Sequence, residues 1–138
     1  MLFRSGYGVA IENWETGLTV LRSIQPDYRL GAGMLLYHKG RGHGQFAPTQ
    51  DHPLEYWQAA IACFDQALSI LTPDQHTQWH LQVLQDAIIT CRDAHCPVPM
   101  QTYLQQGTEL LRQLTREATS TERKIELASQ LANFYQLA

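Results

Sequence analysis

The sequence predicts an all-α fold of about six helices. Three observations carry that expectation. Apolar residues recur at spacings of three and four along most of the chain. Prolines, glycines and capping residues fall between those periodic segments, where helix ends are expected. No segment shows the strict alternation of a half-buried strand.

Taken in order, Val9, Ala10, Ile11, Trp14, Leu18, Val20 and Leu21 mark a first helix that Pro26 should stop. Asp27 to Lys39 forms a second, with Gly40 as its C-cap. Residues 41–53, with their glycines and with Pro48 and Pro53, then read as an inserted loop. The clearest helix runs from Leu54 to Leu71, with Trp57, Ala60, Ile61, Phe64, Ala67, Leu68 and Leu71 on one stripe. Thr72, Pro73 and Gln75 match a capping box that opens a fourth helix, carried to about Asp93 by Trp79, Val83, Leu84, Ala87, Ile88 and Cys91. Pro97 and Pro99 break the chain before a fifth helix, from Met100 to about Thr115. A capping box at Thr119 and Glu122 starts the last, with Ile125, Ala128, Leu131, Ala132 and Tyr135 as its stripe.

The composition narrows the function class. With 138 residues, 44% apolar and 17% charged, the chain has enough core for a single domain over 1–138 and is neither disordered nor a disulfide scaffold. A net charge of −3 argues against a dedicated nucleic-acid binder. No apolar run approaches the roughly 20 residues of a membrane helix, and the first residues carry no signal-peptide pattern. Three cysteines, an odd and sparse set, suit the reducing cytoplasm.

The chain also repeats itself. A slide of 50 residues lays Tyr7 on Trp57, Ala10 on Ala60, Ile11 on Ile61, Trp14 on Phe64, Gly17 on Ala67, Leu18 on Leu68 and Leu21 on Leu71. The order of large and small residues is kept, which suggests two copies of one helix-pair unit. The segment Trp57-Gln58-Ala59-Ala60-Ile61-Ala62-Cys63-Phe64-Asp65-Gln66-Ala67-Leu68, followed by Pro73, resembles the second helix of a tetratricopeptide repeat. Residues 7–18 match the same pattern more loosely, and Gly33 fits the glycine of the repeat's first helix. The match is best over 7–73. The unit is longer than the family's 34 residues, chiefly through 41–53, and Arg29 and Ala32 stand where tryptophan and leucine are usual.

The resemblance implies antiparallel helix pairs stacked as a short α-solenoid, with 120–138 as a C-terminal capping helix. The chain then opens at the second helix of a repeat, as a piece of a longer array would, or as a chain that self-associates through that exposed end. The resemblance also implies a concave groove for a peptide or a partner helix. Carried over from Gly33, its lining is Asp27, Leu30, Met34, Tyr37 and His38, with Gln78, Gln82, Gln85 and Asp86 from the next helix. Leu30 and Met34 serve equally well as core, whereas Tyr37 and His38 read as surface.

Chemistry is sparse. His76 and His80 are spaced for a shared metal but lack the zincin glutamate and a third ligand. Cys91, His95 and Cys96 form a small candidate metal or redox cluster, for which a buried cysteine and a helix-end histidine are the simpler reading. Gly40, Gly42 and Gly44 lack the strand that precedes a phosphate loop. The basic loop Lys39, Arg41 and His43 is a thin footprint for RNA. No catalytic set stands out and no cofactor is implied. The expectation is therefore a non-catalytic protein-binding module, an adaptor, scaffold or sensor part of a larger assembly. The alternatives are a ligand- or metal-binding regulator and a weak RNA-binding module.

Overall fold

The computed structural model describes residues 6–24 and 29–137, so Pro26 and Asp27, the expected helix stop and the first groove residue, lie outside the described residues. Among the described residues six α-helices follow one another: α1 Gly6–Ile24, α2 Arg29–Phe46, α3 Pro53–Ile70, α4 Thr77–Asp93, α5 Pro97–Glu117 and α6 Thr121–Leu137. A 3₁₀ turn, Ala47–Thr49, joins α2 to α3, and the described residues contain no strand. The fold is all-α, as the apolar periods require. None of these helices is long and apolar enough to cross a membrane. The chain gathers into two compact units, Met1–Val83 and Leu84–Ala138.

In the first unit α2 packs on both α1 and α3. Its glycines explain how. A Cβ on Gly33 would lie 2.6 Å from Leu71 Cγ, and one on Gly40 would lie 3.0 Å from the Phe64 ring and 3.2 Å from the Ala60 carbonyl oxygen. Gly33 and Gly40 are seven residues apart and so share the face toward α3. A Cβ on Gly42 would lie 2.2 Å from the Trp14 ring, while Leu35, seven residues earlier, touches Gly17 of α1. At 3.6 residues per turn these two sets stand about 200° apart, so α2 is gripped from opposite sides. The pairings 14 with 42 and 17 with 35, like 64 with 40 and 71 with 33, also run α1 and α3 antiparallel to α2.

This corrects the expected loop. Gly40 does not cap α2, and residues 41–46 are not loop but the last turns of the helix. The described glycines all have negative φ, so they serve close approach rather than an unusual backbone. Around them the core of this unit gathers Leu18, Leu36, Tyr37, Ala60, Phe64, Ala67, Leu71, Leu81 and Val83.

Helix ends depart from expectation by a few residues, each for a local reason. The capping box at Thr72 is not used: His76 N–H donates to the Thr72 carbonyl at 2.8 Å, which closes a turn around Pro73. Helix α4 begins after it, with Thr77 Oγ1 donating back to the Pro73 carbonyl at 2.6 Å. Pro97 and Pro99 open α5 rather than interrupt the chain, because first-turn N–H groups have no intrahelical acceptor to lose. The cap of α6 is Ser120, not Thr119: its Oγ accepts from Arg123 N–H at 3.1 Å.

In the second unit α5 packs on α6. Tyr103, Gly107, Thr108 and Leu111 form the buried stripe of α5. Gly107 lets the Phe134 ring against the α5 backbone, since a Cβ there would lie 2.3 Å from Phe134 Cε1. That contact sets the rotation of α6. Its buried residues are Leu127 and Phe134, with Leu131 half-buried between them, whereas Ile125, Ala128, Ala132 and Tyr135 of the expected stripe face outward.

Candidate partner-binding face

Between its α1 and α3 faces, α2 presents a third side. Leu30, Met34, Tyr37, His38 and Arg41 recur on it at helical spacing. Leu30 is 37% exposed, Arg41 and Gln45 are exposed, and Met34 and His38 are half-buried. The opposite side is closed by Leu36 and His43, both buried. The least covered side of α2 is thus the one that holds four of the expected groove residues.

Tyr37 anchors this side from beneath. It is only 3% exposed, so it is a core residue and not the surface group expected. Its ring meets Phe64 of α3 at 6.4 Å between centroids and His38 edge-on at 5.1 Å. Trp79, in the first turn of α4, also packs edge-on against it at 6.4 Å. The Arg41 guanidinium lies over the Tyr37 ring, 5.7 Å from its centroid, one turn on along α2. Trp79 remains 42% exposed. Gln78 beside it is exposed, and Gln82 is half-buried one turn further. Gln85 and Asp86 are half-buried and belong to the second unit.

Trp79 and Arg41 were missed as members of this face. Trp79 fits the apolar period of α4 and reads as core; its place in the first turn, where a helix has fewer neighbours, was the available signal. Arg41 falls in the stretch read as a loop.

The basic loop dissolves into helix faces. Lys39 pairs with Glu15 of α1. His43 is buried, with its pKa held below the ordinary 6.5 first by loss of solvent, then by the Lys39 charge, against a smaller upward pull from Glu15. Arg41 stands about 200° around α2 from both, so the three do not form one phosphate-binding patch. Cys63 is buried nearby and its thiol is pushed up by burial, the reverse of an activated nucleophile.

The histidine and cysteine candidates are also placed. His80 Nδ1 donates to the Leu71 carbonyl at 2.7 Å, which caps the end of α3 and fixes the ring tautomer. Burial holds its pKa below the usual value, with that hydrogen bond a smaller opposing influence. His76 is half-buried. Cys91 is fully buried, Cys96 is half-buried and His95 is exposed. Among the described residues no group of three or more His, Cys, Asp or Glu side chains is arranged to hold a metal ion. No family model, curated protein or solved structure matches the chain.

Proposed function

We propose that the chain is a non-catalytic protein–protein interaction module of the tetratricopeptide-like kind, which takes a peptide or a partner helix on the open side of α2 and the first turn of α4. One observation carries this reading. An exposed tryptophan and an exposed arginine stand on a buried tyrosine, with exposed Leu30 on the same side of α2. Trp, Tyr and Arg dominate the energetics of protein interfaces, because each combines a large packed surface with a polar handle. A rigid tyrosine beneath holds both groups in place before a partner arrives, which lowers the entropy lost on binding. The sparse, odd cysteine set suits a cytoplasmic setting.

Affinity capture from a native lysate tests it, comparing wild type with the Trp79→Ala/Arg41→Ala double variant. Val98→Ala, at a site 76% exposed on α5, serves as the control. The expected outcome is a partner held by wild type and by the control and lost from the double variant, with the far-UV melting curve retained. Equal capture by all three proteins would overturn the assignment of the face.

A further inference from the structure

The corner between α4 and α5 holds two cysteines. Helix α4 ends in a reverse turn with two hydrogen bonds: Cys96 N–H to the Cys91 carbonyl at 2.9 Å, and His95 N–H to the Arg92 carbonyl at 3.1 Å. These are the 6→1 and 5→2 bonds of a Schellman motif. His95 occupies its left-handed position with φ of 56°, where glycine is usual. A side-chain contact between the first and last residues of the 6→1 pair commonly accompanies such a motif. In this chain they are Cys91 and Cys96. The 6→1 bond leaves their Cα atoms about one helix turn apart, roughly 5–6 Å, within the span a disulfide needs.

The same two residues line a pocket of ≈ 310 Å³, completed by Arg92, His95, Pro97 and Met100. Cys91 is fully buried at its base, whereas Cys96 is half-buried, with its Sγ 3.6 Å from the Ala94 carbonyl. Arg92 and His95 at the rim are exposed. The pocket therefore offers one thiol reachable from solvent, a second thiol behind it, and the exposed Arg92 guanidinium, which also donates to Asp93 Oδ1 at 3.4 Å and to the Leu137 carbonyl at 3.3 Å.

We propose that Cys91 and Cys96 are a reversible dithiol–disulfide pair, oxidised by a small anionic disulfide that enters this pocket. The difference in exposure sets the order of events. The Cys96 thiol loses its proton to solvent and attacks one sulfur of the small disulfide, which releases one thiolate and leaves a mixed disulfide on Cys96. Cys91, too buried to lose its proton to bulk water, passes it to the thiolate just released and attacks Cys96 Sγ, which expels the second thiolate to take up a proton from solvent. The two protein thiols are oxidised by two electrons, and one small disulfide is reduced to two thiols.

Oxidised glutathione, applied to the reduced full chain, is the probe. Trypsin cleavage after Arg92 separates Cys91 from Cys96, so a bridge between them joins fragments 42–92 and 93–112 in a non-reducing digest. The joined fragments are expected in wild type and in Cys63→Ala, which removes the other thiol of fragment 42–92. Cys91→Ala is expected to stop at glutathione on Cys96, and dithiothreitol to restore separate fragments throughout. The wild-type bridge should also form several-fold faster in the folded chain than in urea, a readout that needs no variant to fold. A wild-type reaction that halts at the mixed disulfide overturns the proposal. So does a bridge lost in Cys63→Ala, a bridge between two chains, or an equal rate in urea.

Discussion

Helices α2 and α5 are close in length, 18 and 21 residues, yet they are held in opposite ways. Helix α5 has one glycine and one buried stripe, which it lays on α6. Helix α2 has five glycines and is gripped by α1 and α3 on opposite faces. Glycine costs a helix up to about 1 kcal/mol relative to alanine at each interior site, so α2 is a poor helix by itself. Its neighbours supply the difference: the rings of Trp14 and Phe64 and the Leu71 side chain settle on bare backbone that a Cβ would block. Helix α5 is specified by its own pattern, and α2 by what it touches.

The largest expected effect follows from removing one of those neighbours. Phe64 is fully buried between Gly40 and Tyr37. Phe64→Ala should cost about 3–5 kcal/mol. It should also strip hydrogen-exchange protection from the α2 amides. In Phe134→Ala, a comparable loss of buried ring, the α5 amides should keep more of theirs, because α5 has the better intrinsic helix. Equal protection in the two helices would break the comparison.

Adding a methyl where the grip is tightest should come next. Gly33→Ala and Gly42→Ala gain helix propensity of about 1 kcal/mol but drive Cβ into Leu71 and Trp14, and overpacking costs about 1–3 kcal/mol. Net destabilisation is expected in urea titrations. Gly107→Ala should have the same sign, because Phe134 is buried against it. Gly17→Ala should be close to neutral or stabilising. It meets only the tip of Leu35, at 3.2 Å, and a flexible leucine can give way.

The same contrast explains what the sequence made legible. Helices with one buried stripe, such as α3 with Ala60, Phe64 and Ala67, announce themselves by period, and their existence and order were readable. Helix α2 has two buried faces built on glycine, so its second half carries no apolar period and reads as a loop. The stripe of α6 was ambiguous, because Leu127, Leu131 and Phe134 compete with Ile125, Ala128 and Tyr135, and only the bare backbone at Gly107 decides between them. Leu30, Met34 and His38, expected to share one side of α2, do so, with Leu30 exposed and the other two half-buried. Tyr37 was misplaced, since its burial depends on Phe64 and Trp79 arriving from other helices. Arg41 could not be assigned while its segment was read as a loop.

A pH effect separates the two units further. His43 and His80 both belong to the first unit, and burial keeps the pKa of each below 6.5 in the fold. The fold therefore favours their neutral forms. The stability this contributes is complete above pH 6.5 and is lost as pH falls toward the lowered folded values. Protonation of His80 also places a charge in a half-buried site at the end of α3. Urea midpoints followed through the first unit should drop between pH 7.5 and pH 5. His43→Gln should flatten that slope, and an unchanged slope would remove His43 from the account.

The smallest effect tests a one-residue difference in register. The expected cap of α6 pairs Thr119 with Glu122, but the bond formed is from Arg123 N–H to Ser120 Oγ. A cap stabilises by giving an acceptor to a first-turn N–H group that has none within the helix. Ser120→Ala should therefore cost about 1 kcal/mol in chemical denaturation, and Ser120→Gly only a few tenths, since glycine leaves that N–H open to water. Thr119→Ala should lie within about 0.5 kcal/mol of wild type, as an exposed residue outside the cap. If Thr119→Ala proves the costlier change, α6 starts one residue earlier in solution. Its first-turn N–H groups would then answer to the capping box that the sequence alone suggests.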